Sequence, residues 1–299
     1  MREKVLVIGA GIGGLCTALL LAPSGREIVM IERDGPLDTS DPDELFRNWK
    51  RNGVAHLRQS HAFLARLRVI MKEEHPALIE QLLANGVREL PFDIWLTEQQ
   101  EQGYQPEPED EDLTMITSRR TTLEMTMRNY VETLPNVTLQ CGYRVERLLT
   151  HKGEDGILQV NGVQGMLNGV ATTMHADIVV DASGKGGRGI KQLMDEGAII
   201  KEESESAGIL YFTRHYRLLP DQIEPDRRTN PPASGDLGYL KFGVFPGDNG
   251  NFSITLAVPE VELELRQAIV DPETFHAITL MLPGLFPWTN ANRSEPTGK

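Results

Sequence analysis

Residues 4–22 form an apolar run, KVLVIGAGIGGLCTALLLA, that glycines interrupt near its middle. Residues 5–8 are a short, continuous apolar stretch, which is typical of a central strand in a parallel sheet. Residues 15–21 are rich in Leu and Ala and favour a helix. A buried strand, a glycine turn and a helix in this order predict the start of an α/β fold.

The glycines between the strand and the helix fit the pattern G-x-G-x-x-G. They are Gly9, Gly11, Gly13 and Gly14. Gly9 would permit the tight turn, Gly11 would let a pyrophosphate approach the backbone, and Gly14 would let the helix pack closely on the strand. A second apolar strand follows at residues 28–31, and Glu32 closes it in a position to accept hydrogen bonds from a ribose. The complete βαβ pattern predicts a dinucleotide site at the helix N-terminus.

A secretory or membrane segment is the alternative reading of the same run. The basic start MREK followed by apolar residues is compatible with a signal peptide. The glycines would weaken a membrane helix, however, and the run divides into a strand and a helix. We therefore expect a cytoplasmic protein with no transmembrane segment. The two cysteines, Cys16 and Cys141, are too few for a disulfide framework and fit a reducing compartment.

The charge of the chain argues against nucleic acid as a partner. The formal net charge is −13, and an acidic surface repels phosphate backbones. Seven histidines are scattered along the sequence without H-E-x-x-H or paired Cys/His spacing. No metal site is expected.

The middle of the chain predicts helices followed by short strands. Helices are expected at residues 61–74 and 76–84, a solvated acidic loop at 98–112, and a helix that begins near Thr121 or Thr122. From Val137 onwards, glycine turns separate short strands, which predict an antiparallel meander. A buried strand and the glycine-rich turn DASGKGGRG end this part of the chain.

The last hundred residues predict a second, mostly antiparallel sheet. Residues 209–216 alternate between two faces, and residues 246–250 suit a hairpin turn. The expected architecture is therefore a Rossmann-like α/β domain with a β-meander over residues 1–200 and an antiparallel β substrate domain over 201–299. Four aromatic side chains are candidates either for a substrate pocket or for the core: Tyr211, Phe212, Tyr216 and Phe242.

Four segments together resemble the group A FAD-dependent monooxygenases, the para-hydroxybenzoate hydroxylase-like superfamily, and most of all its bacterial oxidoreductases and epoxidases. The segments are VIGAGIGGLCTALLLA with IVMIERD, GVAHLRQSH, RTTLEMTMR and VVDASGKGGR. In the second segment Arg58 and His61 match the family pattern. In the third, Arg120 corresponds to an arginine that reaches FAD, and Glu124 and Arg128 are in register.

The sequence departs from the family at its second flavin motif, a Gly-Asp-Ala after a strand. The chain ends before that point, and the Gly-Asp of PGDNG at residues 246–250 is interpreted as a decoy within a hairpin turn. Lys185 and Gly187 also replace the usual Arg and Ser of the fourth segment. We expect the chain to be a fragment of a longer enzyme, with half of a flavin site.

The resemblance implies that FAD is the cofactor and NAD(P)H the electron donor. A flavin hydroperoxide formed with O₂ would deliver one oxygen to a small apolar organic substrate, and the protein would position that substrate and exclude water. The predicted cofactor-binding residues are Gly9, Gly11, Gly13, Gly14, Glu32, Arg33, Arg58, Arg120, Asp181 and Gly184. No catalytic side chain is assigned.

Several of these residues also have a purely structural interpretation. Arg120 could be a helix-surface arginine, Arg58 and His61 could cap or face a helix, and Asp181 could be a strand-end turn residue. Other functions also remain open: a flavin-dependent halogenase, a reductase of isoprenoid double bonds, or a fragment that binds without turnover. The tryptophans at positions 49, 95 and 288 do not form the W-x-W-x-I-P motif of halogenases.

Overall fold

The structure, a computed structural model, describes residues 2–96, 98–226 and 231–297. Its contacts divide the chain into two compact units, Met1–Leu57 with Glu124–Ser204, and Arg58–Leu123 with Glu205–Lys299. Residues 58–123 thus belong to the second unit, whereas the sequence assigned them to the first domain. The domain division at residue 200 stays a prediction.

The described residues form strands and helices with the following bounds. The strands are β1 (Lys4–Ile8), β2 (Glu27–Glu32), β3 (Arg88–Leu90), β4 (Met115–Thr117), β5 (Val137–Cys141), β6 (Tyr143–Lys152), β7 (Leu158–Leu167), β8 (Val170–His175), β9 (Ile178–Asp181), β10 (Ile209–Leu218), β11 (Ser234–Asp236), β12 (Lys241–Pro246), β13 (Asn251–Pro259) and β14 (Ser294–Thr297). The helices are α1 (Ile12–Leu21), α2 (Pro42–Asn48), α3 (Ala65–Glu74), α4 (Pro76–Ala84), α5 (Glu98–Gly103), α6 (Arg120–Val131), α7 (Gly189–Asp195), α8 (Leu263–Ile269), α9 (Pro272–Met281) and α10 (Phe286–Thr289).

A parallel sheet forms the centre of the first unit, in the order β5-β2-β1-β9. In the register, Val5 lies beside Ile28, and Ile8 lies beside both Ile31 and Asp181. The carboxyl ends of β1, β2 and β9 therefore meet at one edge, where the glycine turn begins. Ligands of open parallel sheets bind at such an edge. The predicted Rossmann-like fold is confirmed.

The predicted meander is present but begins one strand later than expected. β6, β7 and β8 form an antiparallel sheet of three strands. β5, which was expected to open this meander, instead pairs in parallel with β2 and completes the central sheet. The glycine at position 142 has a φ of +78° and stands between β5 and β6, so the chain turns there from one sheet to the next.

An antiparallel sheet in the order β11-β12-β13-β10-β14 forms the second unit. β13 is buried along almost its whole length because it lies between β12 and β10. The predicted hairpin turn at residues 246–250 is confirmed, since β12 pairs with β13 across it. Of the four aromatic candidates, Tyr216 is in the core, Phe212 and Phe242 pack against it, and Tyr211 is exposed.

Two predictions about helices need adjustment. α3 begins at Ala65 rather than at residue 61, whereas α4 has the predicted bounds. The acidic stretch at residues 98–112, expected to be a loop, contains α5 and a 3-10 segment over Pro108–Leu113. Among the described residues, no helix combines the length and the apolarity needed to cross a membrane.

Each unit has its own apolar core. In the first unit, the core between the parallel sheet and the meander contains Leu6, Ile8, Ile31, Tyr143, Leu148 and Val163. In the second, the core includes Tyr216, Phe252, Ile254, Leu256, Phe275 and Trp288. These cores fix the strand ends and turns on which the polar side chains discussed below are mounted.

Candidate functional site

The glycines of the first turn have two different environments. A Cβ on Gly9 would come within 2.7 Å of the Ala182 carbonyl oxygen, and a Cβ on Gly14 would clash with the Gly9 carbonyl. A Cβ on Gly11 would meet only the Arg51 guanidinium at 3.8 Å, and none of the described atoms lies within 4 Å of one on Gly13. Gly9 and Gly14 are therefore required by packing, whereas Gly11 and Gly13 leave an open face beside the backbone.

The N-terminus of α1 lies next to this open face. Gly11 is the N-cap residue, and within the described ranges no side chain caps the helix and no acidic residue stands in its first turn. The first N–H groups of a helix have no partner within the helix, and its dipole favours negative charge there. This end of α1 is suited to an anionic group such as a pyrophosphate.

Glu32 lies at the carboxyl end of β2, where the sequence predicted it, and it already has partners. Its Oε2 accepts hydrogen bonds from the Ala10 N–H at 2.9 Å and from Arg51 Nη2 at 3.0 Å. Its Oε1 accepts one from the Asp34 N–H at 3.1 Å. A carboxylate has about four acceptor positions, so capacity remains for one ribose hydroxyl. Glu32 holds the glycine turn in place as well.

Arg51 is the main residue of this site that the sequence did not reveal. Its side chain is buried and forms ion pairs with Glu32, with Asp34 at 3.0 Å and with Glu124 at 2.8 Å. Its Nη1 also lies 3.5 Å from the Ala10 carbonyl oxygen, which places a positive charge beside the glycine turn. Arg51 lies in a polar stretch with no periodic pattern, so nothing in the sequence distinguished it from a surface arginine.

The two carboxylates that follow β2 are shifted in opposite directions. Burial tends to raise the pKa of Glu32, but Arg51 and the backbone N–H groups of Asp34 and Ala10 outweigh it and lower the pKa overall. The pKa of Asp34 is raised by burial and by the negative charge of Glu32, although Arg51 opposes both effects. Glu32 is therefore the firmly ionised member of the pair.

Trp49 forms one wall of the charged cluster. The Arg51 guanidinium carbon lies 5.1 Å from the centre of its ring and that of Arg128 lies 5.6 Å from it, so both cations have cation–π geometry. Arg128 is fully buried, and its Nη2 approaches the Cys141 sulfur at 3.7 Å. The sequence had placed Arg128 in register with a family motif, and the structure locates it in the same unit as Glu32.

The other predicted residues of the first unit lie around this edge. Asp181 ends β9, and its Oδ1 accepts hydrogen bonds from the Ser183 N–H at 3.0 Å and from the Ser183 hydroxyl. Gly184 has a φ of +78° within the turn that follows. Arg33 is half exposed beside Asp34. Asp181 thus shapes its own turn, and its contact with a cofactor stays a prediction, as do those of Gly184 and Arg33.

Arg58 and Arg120 belong to the second unit. The Arg58 carbonyl accepts a hydrogen bond from His215 Nε2 at 2.9 Å, and its side chain is exposed. Arg120 is half-buried at the first position of α6. Their predicted roles toward FAD are untested. At the start of α6 the neighbouring Arg119 is buried.

Asp248, interpreted from the sequence as a decoy, accepts hydrogen bonds at both of its carboxylate oxygens. It accepts hydrogen bonds from the Arg119 N–H at 2.7 Å, from Arg119 Nη2 at 2.6 Å and from the Thr122 hydroxyl at 2.9 Å. Asp248 is fully buried. It connects the β12–β13 turn to the start of α6, which gives it a structural role.

A small polar cavity, which we call the notch, lies beside this pair in the second unit. Its volume is about 10 Å³, and its lining includes Gln59, Ser60, His61, Ser118, His215 and Ser253. Burial lowers the pKa of His215 to about 4, with a further contribution from the positive charge of Arg119. His215 is therefore neutral near pH 7. A polar cavity of this size has room for about one oxygen or nitrogen atom.

The first unit supplies the groups that a dinucleotide cofactor requires. The open face at Gly11 and Gly13 leaves space for a pyrophosphate, the α1 N-terminus offers N–H donors, and Glu32 keeps one acceptor position for a ribose. Arg51 adds a buried positive charge at the same turn. The residues present fit a ribose hydroxyl and the pyrophosphate of FAD.

Comparisons with known proteins agree with this geometry. A family model described as an FAD binding domain matches residues 4–207. Protein Rv3254 of Mycobacterium tuberculosis is 27% identical over 265 residues, which cover 85% of this chain and 53% of that protein. The chain thus spans about half the length of this curated relative.

Solved structures share the fold at low sequence identity. PqsL of Pseudomonas aeruginosa, described as a probable FAD-dependent monooxygenase, is 16% identical with a TM-score of 0.62, covering 100% of this chain and 73% of that one. The flavin-dependent brominase Bmp2 is 16% identical with a TM-score of 0.64, covering 100% and 66%. The fold is that of flavin-dependent monooxygenases and halogenases.

The family match covers more than half of the chain, and it includes the glycine turn, Glu32, Arg51 and the turn after β9. It confirms the FAD-binding family that the sequence motifs predicted. The chain belongs to the family of FAD binding domains.

Proposed function

We propose that this chain is the FAD-binding part of an oxidoreductase, and more specifically of an NAD(P)H-dependent monooxygenase. The observation that carries the proposal is the open face of the glycine turn at the N-terminus of α1, flanked by Glu32 and Arg51. The family match supports FAD as the cofactor. The structural similarity to PqsL is consistent with an oxygenase reaction.

Bound FAD would supply the redox chemistry that couples oxidation of NAD(P)H to reduction of O₂. In the overall reaction one oxygen atom enters the organic substrate and the other leaves as water. This reaction requires no catalytic triad in the protein.

The chain's own residues would bind and orient the cofactor. The N–H groups at the start of α1 would donate to the pyrophosphate, and the spare acceptor position of Glu32 would bind a ribose hydroxyl. Arg51 would add positive charge beside the pyrophosphate while its carboxylate partners hold it in place. Contacts of Arg33, Asp181 and Gly184 with FAD are part of the same proposal, as are the contacts with FAD that the sequence assigned to Arg58 and Arg120.

A flavin-dependent halogenase is the second candidate. The similarity to the brominase Bmp2 is as strong as the similarity to PqsL, so the fold does not separate the two reactions. The lack of a W-x-W-x-I-P motif in the sequence favours the monooxygenase. An isoprenoid reductase and a fragment without turnover remain as further alternatives.

Reconstitution with FAD tests the proposal. The purified chain is incubated with FAD, freed of excess cofactor and examined for flavin absorbance near about 450 nm. We expect stoichiometric FAD, and then FAD-dependent oxidation of NADH or NADPH with matching consumption of O₂. A chain that retains no flavin contradicts the proposed cofactor role. Retained flavin that NADH and NADPH both fail to reduce contradicts the proposed monooxygenase.

A further inference from the structure

None of the residues assigned to FAD lines the notch of the second unit. Of its lining residues, Gln59, Ser60 and Ser253 are the ones whose hydrogen bonds decide what it can bind. They come from the segment before α3 and from β13, and all belong to the same compact unit. The question is whether they present donors or acceptors to the cavity.

A chain of four hydroxyl groups runs into the notch, and one arrangement of its protons satisfies all of the contacts that these groups make. In this arrangement Ser253 donates to the Phe245 carbonyl, which can only accept, at 3.5 Å. Ser60 lies 2.7 Å from Ser253, and either hydroxyl could donate; with the Ser253 proton on Phe245, Ser60 is the donor. Thr255 donates to Ser60 at 2.7 Å.

Thr213 continues the chain with the same direction. It lies 2.8 Å from Thr255, whose proton goes to Ser60, so Thr213 donates to Thr255. Ser118, which also lines the notch, donates its proton to the Arg119 carbonyl at 3.0 Å. Every hydroxyl proton in this group is therefore directed at a protein acceptor. Ser60 and Ser253 each keep a lone pair, so they face a ligand as acceptors.

Gln59 adds a further acceptor. Its Oε1 is buried and has no hydrogen-bond partner among the described residues. Leaving a buried carbonyl oxygen unpaired is costly, and a group that donates a hydrogen bond to it would remove that cost. The notch thus combines two serine lone pairs with an amide oxygen that needs a donor.

The surrounding charges decide what kind of donor fits. Arg119 lines the notch with its charge paired to Asp248, and the described lining residues include no carboxylate. His215 itself is neutral, with its Nε2 proton donated to the Arg58 carbonyl. A cationic donor such as an ammonium group would find no counter-charge there, whereas a neutral hydroxyl or N–H group needs none.

We propose that the notch binds one neutral hydrogen-bond donor of the organic substrate, a hydroxyl or N–H group, through Gln59, Ser60 and Ser253. This deepens the proposed function, on which it rests, because it gives a hydrogen-bonding group to a substrate that the sequence alone described as apolar. The volume of the notch admits that group and leaves the rest of the substrate outside it.

Matched probes test the proposal on the full chain without flavin. Benzyl alcohol, toluene and benzoate are titrated into the isotope-labelled chain, and chemical shifts are followed at the Gln59 side-chain amide and the Ser60 and Ser253 backbone amides. We expect benzyl alcohol to bind roughly tenfold more tightly than toluene, in keeping with one or two hydrogen bonds. Benzoate, which offers only acceptors, should bind no better than toluene.

Gln59→Leu removes the amide oxygen and nearly preserves the volume. It should bring the affinity for benzyl alcohol down to that for toluene. Gln267→Leu, at an exposed position of α8, is the matched control and should leave both affinities unchanged. The thermal unfolding of each variant shows whether it is folded.

Ser253→Ala tests the direction of the hydroxyl chain. Without its acceptor, the Ser60 proton becomes free to point into the notch, so the preference should shift from benzyl alcohol toward benzaldehyde by about three- to tenfold. Equal binding of toluene and benzyl alcohol, tighter binding of benzoate, no binding of any probe, or an unchanged preference in Ser253→Ala would each overturn the proposal. Because flavin is absent, none of these results bears on whether the chain binds FAD.

Discussion

Each unit buries an arginine against carboxylates, but the two arrangements differ in how far the charges are neutralised. Arg119 faces Asp248, and the same carboxylate also accepts from the Arg119 N–H and the Thr122 hydroxyl, so the group is complete in itself. Arg51 is shared among three carboxylates at the edge of the parallel sheet, beside a turn with an open face. The first arrangement stabilises a turn, and the second has the features of a ligand site.

The difference shows that a cluster of buried charged residues can indicate a functional site in one unit and a purely structural contact in the other. Around Arg51, Glu32 and Asp34 have pKa values shifted in opposite directions, which is common where charged groups converge on a cofactor. Around Asp248, every strong donor is used within the protein.

The largest effect is expected from Asp248→Ala. The substitution leaves the Arg119 guanidinium buried without its carboxylate, which costs about 3–5 kcal/mol of unfolding free energy for a buried pair. Urea denaturation measures this loss. Asp236→Ala is the control, because Asp236 and its partner Lys241 are both exposed, and its stability should hardly change. Equal effects of the two substitutions would refute the structural role of Asp248.

The second unit should also lose stability in mild acid through His215. Its pKa of about 4 in the folded chain lies below the ordinary value of 6.5, so the unfolded chain takes up a proton first as the pH falls. Stability should therefore decline from pH 6.5 to about 4, by on the order of 3 kcal/mol in total. His215→Gln keeps a donor for the Arg58 carbonyl, and its unfolding free energy should vary less over this range.

A smaller effect in a different pH range is expected from Glu32→Gln in the first unit. The folded pKa of Glu32 is lowered, so its contribution is present above the ordinary value of 4.5 and is lost as the pH falls below it. At pH 7 the substitution should cost about 2 kcal/mol, as for hydrogen bonds to a charged group. The variant and the wild type should converge in unfolding free energy once the pH has fallen through the lowered folded pKa of Glu32. A constant difference at all pH values would contradict the ionic role.

The smallest effect is expected from Asp34→Asn. The pKa of Asp34 is raised by burial and by Glu32, so its negative charge is unfavourable at neutral pH despite Arg51. Removing the charge should leave the unfolding free energy unchanged or raise it by up to about 0.5 kcal/mol. A marked loss in thermal denaturation would mean that Asp34 supports Arg51 as strongly as Glu32 does.

Local patterns in the sequence predicted the parts of the fold that depend on periodicity and turn chemistry. β1, α1, β2, α4 and the hairpin turn at residues 246–250 all follow from apolar spacing, glycine or proline. The pairing of β5 with β2 could not be predicted in this way. A five-residue strand can pair in either direction, and the rest of the sheet determines its partner. The helical turns at residues 98–112 were not predicted, because a short acidic stretch is equally typical of a solvated loop.

The residues of the candidate site also differ in whether the sequence predicted them. The glycine turn and Glu32 follow a recognisable spacing in the sequence. Arg51 lies 19 residues after Glu32, beyond an irregular stretch, so no spacing relates it to the turn. Arg119 and Asp248 are separated by 129 residues, so their pairing is a product of the tertiary structure alone. The ion pairs of Arg51 and Arg119 join residues that are far apart in the sequence, so the sequence did not predict either of them.

The central claim is that the open face at Gly11 receives the pyrophosphate of FAD. Gly11→Ala tests it most directly, because the added methyl group meets no protein atom closer than 3.8 Å and should leave folding intact. Gly103→Ala, at an exposed position of α5 where a Cβ has open space, is the matched control. FAD affinity is measured by quenching of flavin fluorescence. We expect Gly11→Ala to weaken FAD binding by at least about tenfold, equivalent to about 1.4 kcal/mol, with unchanged thermal stability and no effect of Gly103→Ala. Wild-type affinity in a folded Gly11→Ala chain would contradict the claim.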